Sequence, residues 1–109
     1  MDDATYQQLA SRTRNFSGAL EGGPEGRRML EAAIGMAGEL SEITEPIKKY
    51  IFHGREINRE KLIDELGDLL WYMDELCQVL GVTLDDVKQV NVRKLEKRYN
   101  LKHSEEENK

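Results

Sequence analysis

The 109-residue chain has little of what stabilises many small proteins by covalent or rigid means. It has one cysteine, Cys77, so no intrachain disulfide can form and a thiolate metal site is excluded as a main feature. It has two prolines, Pro24 and Pro46, and aromatics make up 6% of residues. No apolar run approaches the roughly 20 residues of a membrane span. The N-terminal MDDATYQQLA is acidic and polar, which is not the pattern of a secretory signal. These absences set the expectation of a cytoplasmic protein with no membrane partner. The net charge is −5, with 16 basic and 21 acidic residues. A nucleic-acid backbone binder is usually basic, so no nucleic-acid partner is expected.

What is present is helical periodicity. A 109-residue chain makes one domain, able to bury its own core or to share one with a partner. Four helices are expected. The first runs from about Asp3 to Phe16, with Tyr6, Leu9, Ala10 and Thr13 as its buried face. SGALEGGPEG, with four glycines and Pro24, is a loop. The second helix runs from about Glu25 towards Phe52, with a kink or break near Glu45 because Pro46 removes a backbone donor. Asn58 caps a third helix from Arg59 to Leu80, which Gly81 stops. Thr83, with Asp86 three residues on, caps a fourth that runs to about Tyr99. Residues 1–103 are thus one helical domain, and residues 104–109 a flexible acidic tail. The fold class is all-α, a bundle of about four helices completed by oligomerisation.

The apolar stripe of the third helix comprises Leu62, Leu66, Leu69, Leu70, Met73, Leu76, Cys77 and Leu80. Glu65 falls at its edge, with Asp68 and Tyr72 on the same flank. In the second helix the stripe is Leu30, Ala33, Ala37, Leu40, Thr44 and Ile47. Glu39 and Glu42 lie on the far side, shared with Gly35 and Gly38. Each acid pair is spaced i, i+3, which places both carboxylates on one helix face. Such pairs arise by chance in an acidic chain, and alone they read as solvated surface. The glycines alter the balance. A helical glycine costs about 1 kcal/mol relative to alanine, and Gly35, Gly38 and Gly67 are repaid only where a backbone or a ligand comes close. If the two acid faces meet, Glu39, Glu42, Glu65 and Asp68 share one site. Four carboxylates need a cation, and an all-oxygen set without His or Cys suits Mg²⁺, with Mn²⁺ as the alternative. Mg²⁺ is commonly held together with substrate phosphates, which makes a nucleotide the natural companion. Trp71 lies opposite the leucine stripe, and an intersubunit contact and a base pocket are both open readings of it.

GMAGELSE followed by ELGDLLWYMDELCQVLGV resembles the MazG-like nucleotide pyrophosphohydrolases, whose signature is E-x-x-E, a spacer, then E-x-x-D. Glu39-x-x-Glu42 and Glu65-x-x-Asp68 fit it with 22 residues between, and the likeness runs from about Met29 to Tyr99. The resemblance implies an all-α homo-oligomer, dimer or tetramer, that hydrolyses nucleoside triphosphates between the α and β phosphates to a monophosphate and pyrophosphate, as in nucleotide-pool house-cleaning. It implies that Glu39, Glu42, Glu65 and Asp68 hold Mg²⁺ and form the catalytic centre. Lys48, Lys49, Tyr72, Asn91, Lys94 and Arg98 match substrate-binding positions. Pro46 departs from the regular helix usual there. Phosphoribosyl-ATP pyrophosphohydrolase and dUTPase-like activities are alternatives within the superfamily. A helical oligomeric binding protein without catalysis is the alternative outside it.

Overall fold

The computed structural model describes residues 1–14 and 22–100. They form four helices, α1 (Asp3–Ser11), α2 (Gly23–His53), α3 (Arg59–Leu80) and α4 (Leu84–Tyr99), with no strand among them. The expected end of the first helix at Phe16 and the acidic tail 104–109 lie outside the described residues.

The helix boundaries follow local chemistry. Asp2 Oδ1 accepts from the Thr5 amide at 2.8 Å and caps α1. That helix stops at Ser11 because the Ala10 carbonyl is taken by the amide and hydroxyl of Thr13, which closes the chain into a turn. The Asn58 side chain accepts from Lys61 N and opens α3. Thr83 and Asp86 form a reciprocal capping box on α4. Gly54 and Gly81 end α2 and α3 in the left-handed conformation. No helix among the described residues is long and apolar enough to cross a membrane.

Pro46 does not break α2. The helix continues for 31 residues, from the proline-bearing first turn at Pro24 to His53. Proline removes one hydrogen bond and crowds the carbonyl four residues back. Ile43 and Pro46, both half-buried, form part of the face α2 turns towards α3, and that packing keeps the helix continuous.

α2 and α3 form an antiparallel hairpin joined by residues 54–58, and this pair carries nearly all of the contact between helices. The face that α2 turns to α3 differs from the expected leucine stripe. It comprises Ala32, Gly35, Met36, Glu39, Ile43 and Pro46, of which Ala32 is buried and the rest half-buried. On α3 the corresponding residues are Leu62, Glu65, Leu69, Tyr72, Met73 and Leu76, with Cys77 buried beside them. The α2 stripe of Leu30, Ala33, Ala37, Leu40, Thr44 and Ile47 is exposed. So are Leu66 and Leu70 of α3. Small residues and a ring fit the close approach better than leucines do. A Cβ on Gly35 would overlap the Tyr72 ring at Cδ1, Cε1 and Cζ.

Each exposed stripe lies one residue, about 100°, beyond the contact face of its own helix. Because the helices are antiparallel, equal rotations turn both stripes to the same side of the hairpin. By the same geometry Glu42 and Asp68 turn to the opposite side. The hairpin therefore has an apolar side and a charged side.

Among the described residues only Ala32 and Cys77 are buried. α1 has no buried residue and packs on no other helix, so the expected inward face at Tyr6, Leu9, Ala10 and Thr13 finds no helix to pack on among the described residues. α4 touches α3 only sparingly.

Candidate metal and nucleotide site

The close approach at Gly35 is what brings the acids together. Glu39 stands one turn after Gly35 on the contact face of α2. Glu65 stands on the facing surface of α3, and Asp68 follows one turn later at the rim. One carboxylate oxygen from each of Glu39, Glu65 and Asp68 lies within 4.8 Å of the others. Glu39 and Glu65 are half-buried and Asp68 is exposed. Glu42 lies outside this group of three.

The electrostatics follow from that crowding. The Glu39 carboxyl is raised to about 7. Hydrogen bonding to the Glu65 carboxyl contributes most, then burial, then the charges of Asp68, Glu65 and Glu42. Glu39 Oε2 is buried and has no hydrogen-bond partner. Two ionised carboxylates cannot bond to each other. Glu39 and Glu65 are satisfied together only by a shared proton or by a cation between them. A buried polar atom without a partner is unfavourable. An oxygen-only set of this kind, one of whose members has a buried and unpartnered oxygen, fits a hard divalent cation such as Mg²⁺.

Beside the acids is an open cavity of about 360 Å³ lined by Glu39, Asp68, Trp71 and Tyr72. The two rings meet edge to face, with centroids 5.1 Å apart and planes at 89°. Trp71 is 60% exposed. The structure thus sets Trp71 on the wall of the acidic cavity. Tyr72 lies on the same wall, with its ring over Gly35. Gly38 and Gly67 have nothing within 4 Å of an added Cβ, so the close neighbour expected at each is not found among the described residues.

The basic residues are divided. Lys49 lines a second cavity, of about 280 Å³, together with Glu42, Arg55 and Lys61 at the α2–α3 turn. Lys48 is exposed beside it. Asn91, Lys94 and Arg98 are exposed on α4 and line neither cavity. Arg55 and Lys61 escaped the sequence reading. Arg55 sits in a turn, where helical spacing gives no face. Lys61 lies one turn before Glu65, a spacing that would have identified it.

Residues 29–103 match the MazG nucleotide pyrophosphohydrolase domain. The chain is 36% identical over 102 residues to the Gene 37 protein of Mycobacterium phage L5, an alignment covering 85% of this chain and 84% of that protein. No solved structure matches. With the matched segment spanning both acid pairs, α2 from Met29 onward and the whole of α3, the chain belongs to the MazG nucleotide pyrophosphohydrolase domain family.

Proposed function

We propose that the protein is a Mg²⁺-dependent nucleoside triphosphate pyrophosphohydrolase that cleaves between the α and β phosphates. The observation that carries this reading is the group of three carboxylates on facing helices, with Glu39 Oε2 buried and unpartnered. Glu39, Glu65 and Asp68 would hold the ion. When bound, the ion supplies neutralisation of phosphate charge and activation of water. Glu42, outside the group of three but close enough to bear on Glu39, is the carboxylate free to accept the proton of the attacking water. Trp71 and Tyr72 wall the cavity beside the acids and offer flat apolar surface to a base. Residues 1–103 act as one domain, which self-associates through the apolar side of the hairpin.

The test is a panel of nucleoside triphosphates with Mg²⁺, resolving pyrophosphate from orthophosphate release. Pyrophosphate and monophosphate in equal amounts are expected. Glu39→Gln and Asp68→Asn should each abolish turnover while leaving the helical circular dichroism unchanged. Orthophosphate without pyrophosphate would exclude α–β cleavage. Full turnover in both variants would overturn the site.

A further inference from the structure

We propose that Lys49, Arg55 and Lys61 form a subsite for the terminal phosphates of the substrate, the pair that leaves as pyrophosphate. This rests on the pyrophosphohydrolase reading above and assigns Arg55 and Lys61 a role in it.

Three observations support the subsite. The first is placement. Lys49, Arg55 and Lys61 share one cavity with Glu42. Glu42 is one helical turn, about 5 Å, beyond Glu39 of the carboxylate group. Lys61 is one turn before Glu65. Relative to the contact face, Lys49 and Lys61 turn to the same side of the hairpin as Glu42 and Asp68, away from the apolar stripes. Trp71 and Tyr72, the acids, and the three cations therefore follow one another along the hairpin towards its turn. A base, an α phosphate and a terminal pair of phosphates have the same order.

The second is availability. The ion pairs among the described residues are Arg27 with Glu31 and Arg28 with Glu75. Lys49, Arg55 and Lys61 take part in neither, although Glu42, Glu45 and Glu56 line the same cavity. Three cations and three acids leave the cavity near neutral. That balance suits a phosphate chain arriving with its own divalent cation better than a bare anion.

The third is positioning. The Arg55 amide donates to the Lys49 carbonyl at 3.3 Å, which holds Arg55 over the end of α2. The Lys61 amide donates to Asn58 Oδ1 at 3.1 Å. Both cations thus rise from backbone tied to a helix end. The N-terminus of α3, whose partial positive charge favours an anion, opens at the same turn.

The test uses the whole chain and inorganic pyrophosphate, with and without Mg²⁺. Pyrophosphate with Mg²⁺ is expected to inhibit hydrolysis competitively. The Arg55→Gln, Lys61→Gln double variant should raise its inhibition constant and the substrate KM at least tenfold. Inhibition by the nucleoside monophosphate should change less than twofold. Lys88→Gln with Lys97→Gln, on α4, makes the same charge change elsewhere and should leave pyrophosphate inhibition unaltered. Unchanged pyrophosphate inhibition in the Arg55/Lys61 variant would overturn the subsite while hydrolysis stands. So would an equal loss in the α4 variant, and so would failure of the wild type to bind Mg²⁺ and pyrophosphate by calorimetry. Binding that depends on Arg55 and Lys61 without any hydrolysis would support the subsite and refute the enzymatic reading.

Discussion

At the scale of single residues, Glu39 is the carboxylate on which the proposed site turns. Its carboxyl is raised to about 7 because Glu65, burial and the neighbouring charges all favour the protonated form. An ion and a proton compete for it. Mg²⁺ affinity should be roughly tenfold weaker at pH 6 than at pH 8, the change in its ionised fraction around that value. Titration calorimetry at the two pH values checks this, and equal affinities would refute it. The sign for stability is the reverse. In the unfolded chain Glu39 titrates near the ordinary glutamate value of 4.5. The folded state therefore binds the proton more tightly between that value and about 7. Its contribution to stability is full below pH 4.5 and is lost as pH rises through 7. Without Mg²⁺ the protein should melt at a lower temperature at pH 8 than at pH 6, and Mg²⁺ should restore more at pH 8. The glycines make a second residue-scale contrast. Gly35→Ala drives a Cβ into the Tyr72 ring. Overpacking costs about 1–3 kcal/mol, and the gain in helix propensity offsets up to about 1 kcal/mol of it. Gly38→Ala and Gly67→Ala meet open space, so each should stabilise the helix by about 0.5–1 kcal/mol. Urea unfolding separates the two signs. Loss of turnover in Gly38→Ala without loss of stability would mark that space as used by substrate.

At the scale of elements, α2 shows what the sequence displayed and what it concealed. Caps, glycine stops and the leucine spacing of α3 were legible because each depends on a few neighbouring residues. Asn58, Gly81 and the Thr83–Asp86 box stand where local chemistry put them. The meeting of Glu39 with Glu65 and Asp68 was legible in part: Gly35 does admit the Tyr72 ring, but Gly38 and Gly67 meet open space and Glu42 lies outside the group. The face that α2 buries was not legible. Hydrophobicity points to Leu30, Leu40 and Ile47, yet the protomer packs the Gly35–Glu39 face instead. Periodicity identifies an apolar stripe but not whether its partner is the same chain. The continuity of α2 through Pro46 was hidden for a related reason, because it depends on packing against α3. Proline in a helix interior is about 3 kcal/mol less favourable than alanine. Pro46→Ala should raise stability by roughly 2–3 kcal/mol in urea unfolding. It also restores a donor to the Glu42 carbonyl, beside the cavity that Pro46 lines. Greater stability with reduced turnover would show that the freed carbonyl serves the site, and no gain in stability would refute the cost assigned to this proline.

At the scale of the whole molecule, the protomer is not a finished globule. Its radius of gyration is 21.1 Å, against about 13 Å for a compact chain of this length. Its accessible surface is 9698 Å², whereas a compact monomer of this mass exposes about 6,200 Å². The excess, roughly 3,500 Å² per chain, is more than the roughly 1,000–2,500 Å² per partner that most obligate interfaces bury. The apolar side of the hairpin is the surface on which the proposed self-association would rest. Leu40 is 52% exposed, Leu66 53% and Leu70 50%, and all three turn to one side, away from Asp68 and Glu42. A second copy of this hairpin carries the same stripe, so a two-fold arrangement would cover both at once. The charged sides then remain open to substrate. Charge placed on the stripe should separate the copies. The Leu40→Glu, Leu66→Glu double variant is expected to sediment as a monomer or to unfold, because a protomer with two buried residues among those described has little core of its own. Arg27→Glu, on an exposed i, i+4 surface pair, should leave the assembly intact. Sedimentation velocity with circular dichroism distinguishes these outcomes. A wild-type chain that sediments as a folded monomer at micromolar concentration would refute the assembly, and with it the explanation for why α2 keeps its leucines on the outside.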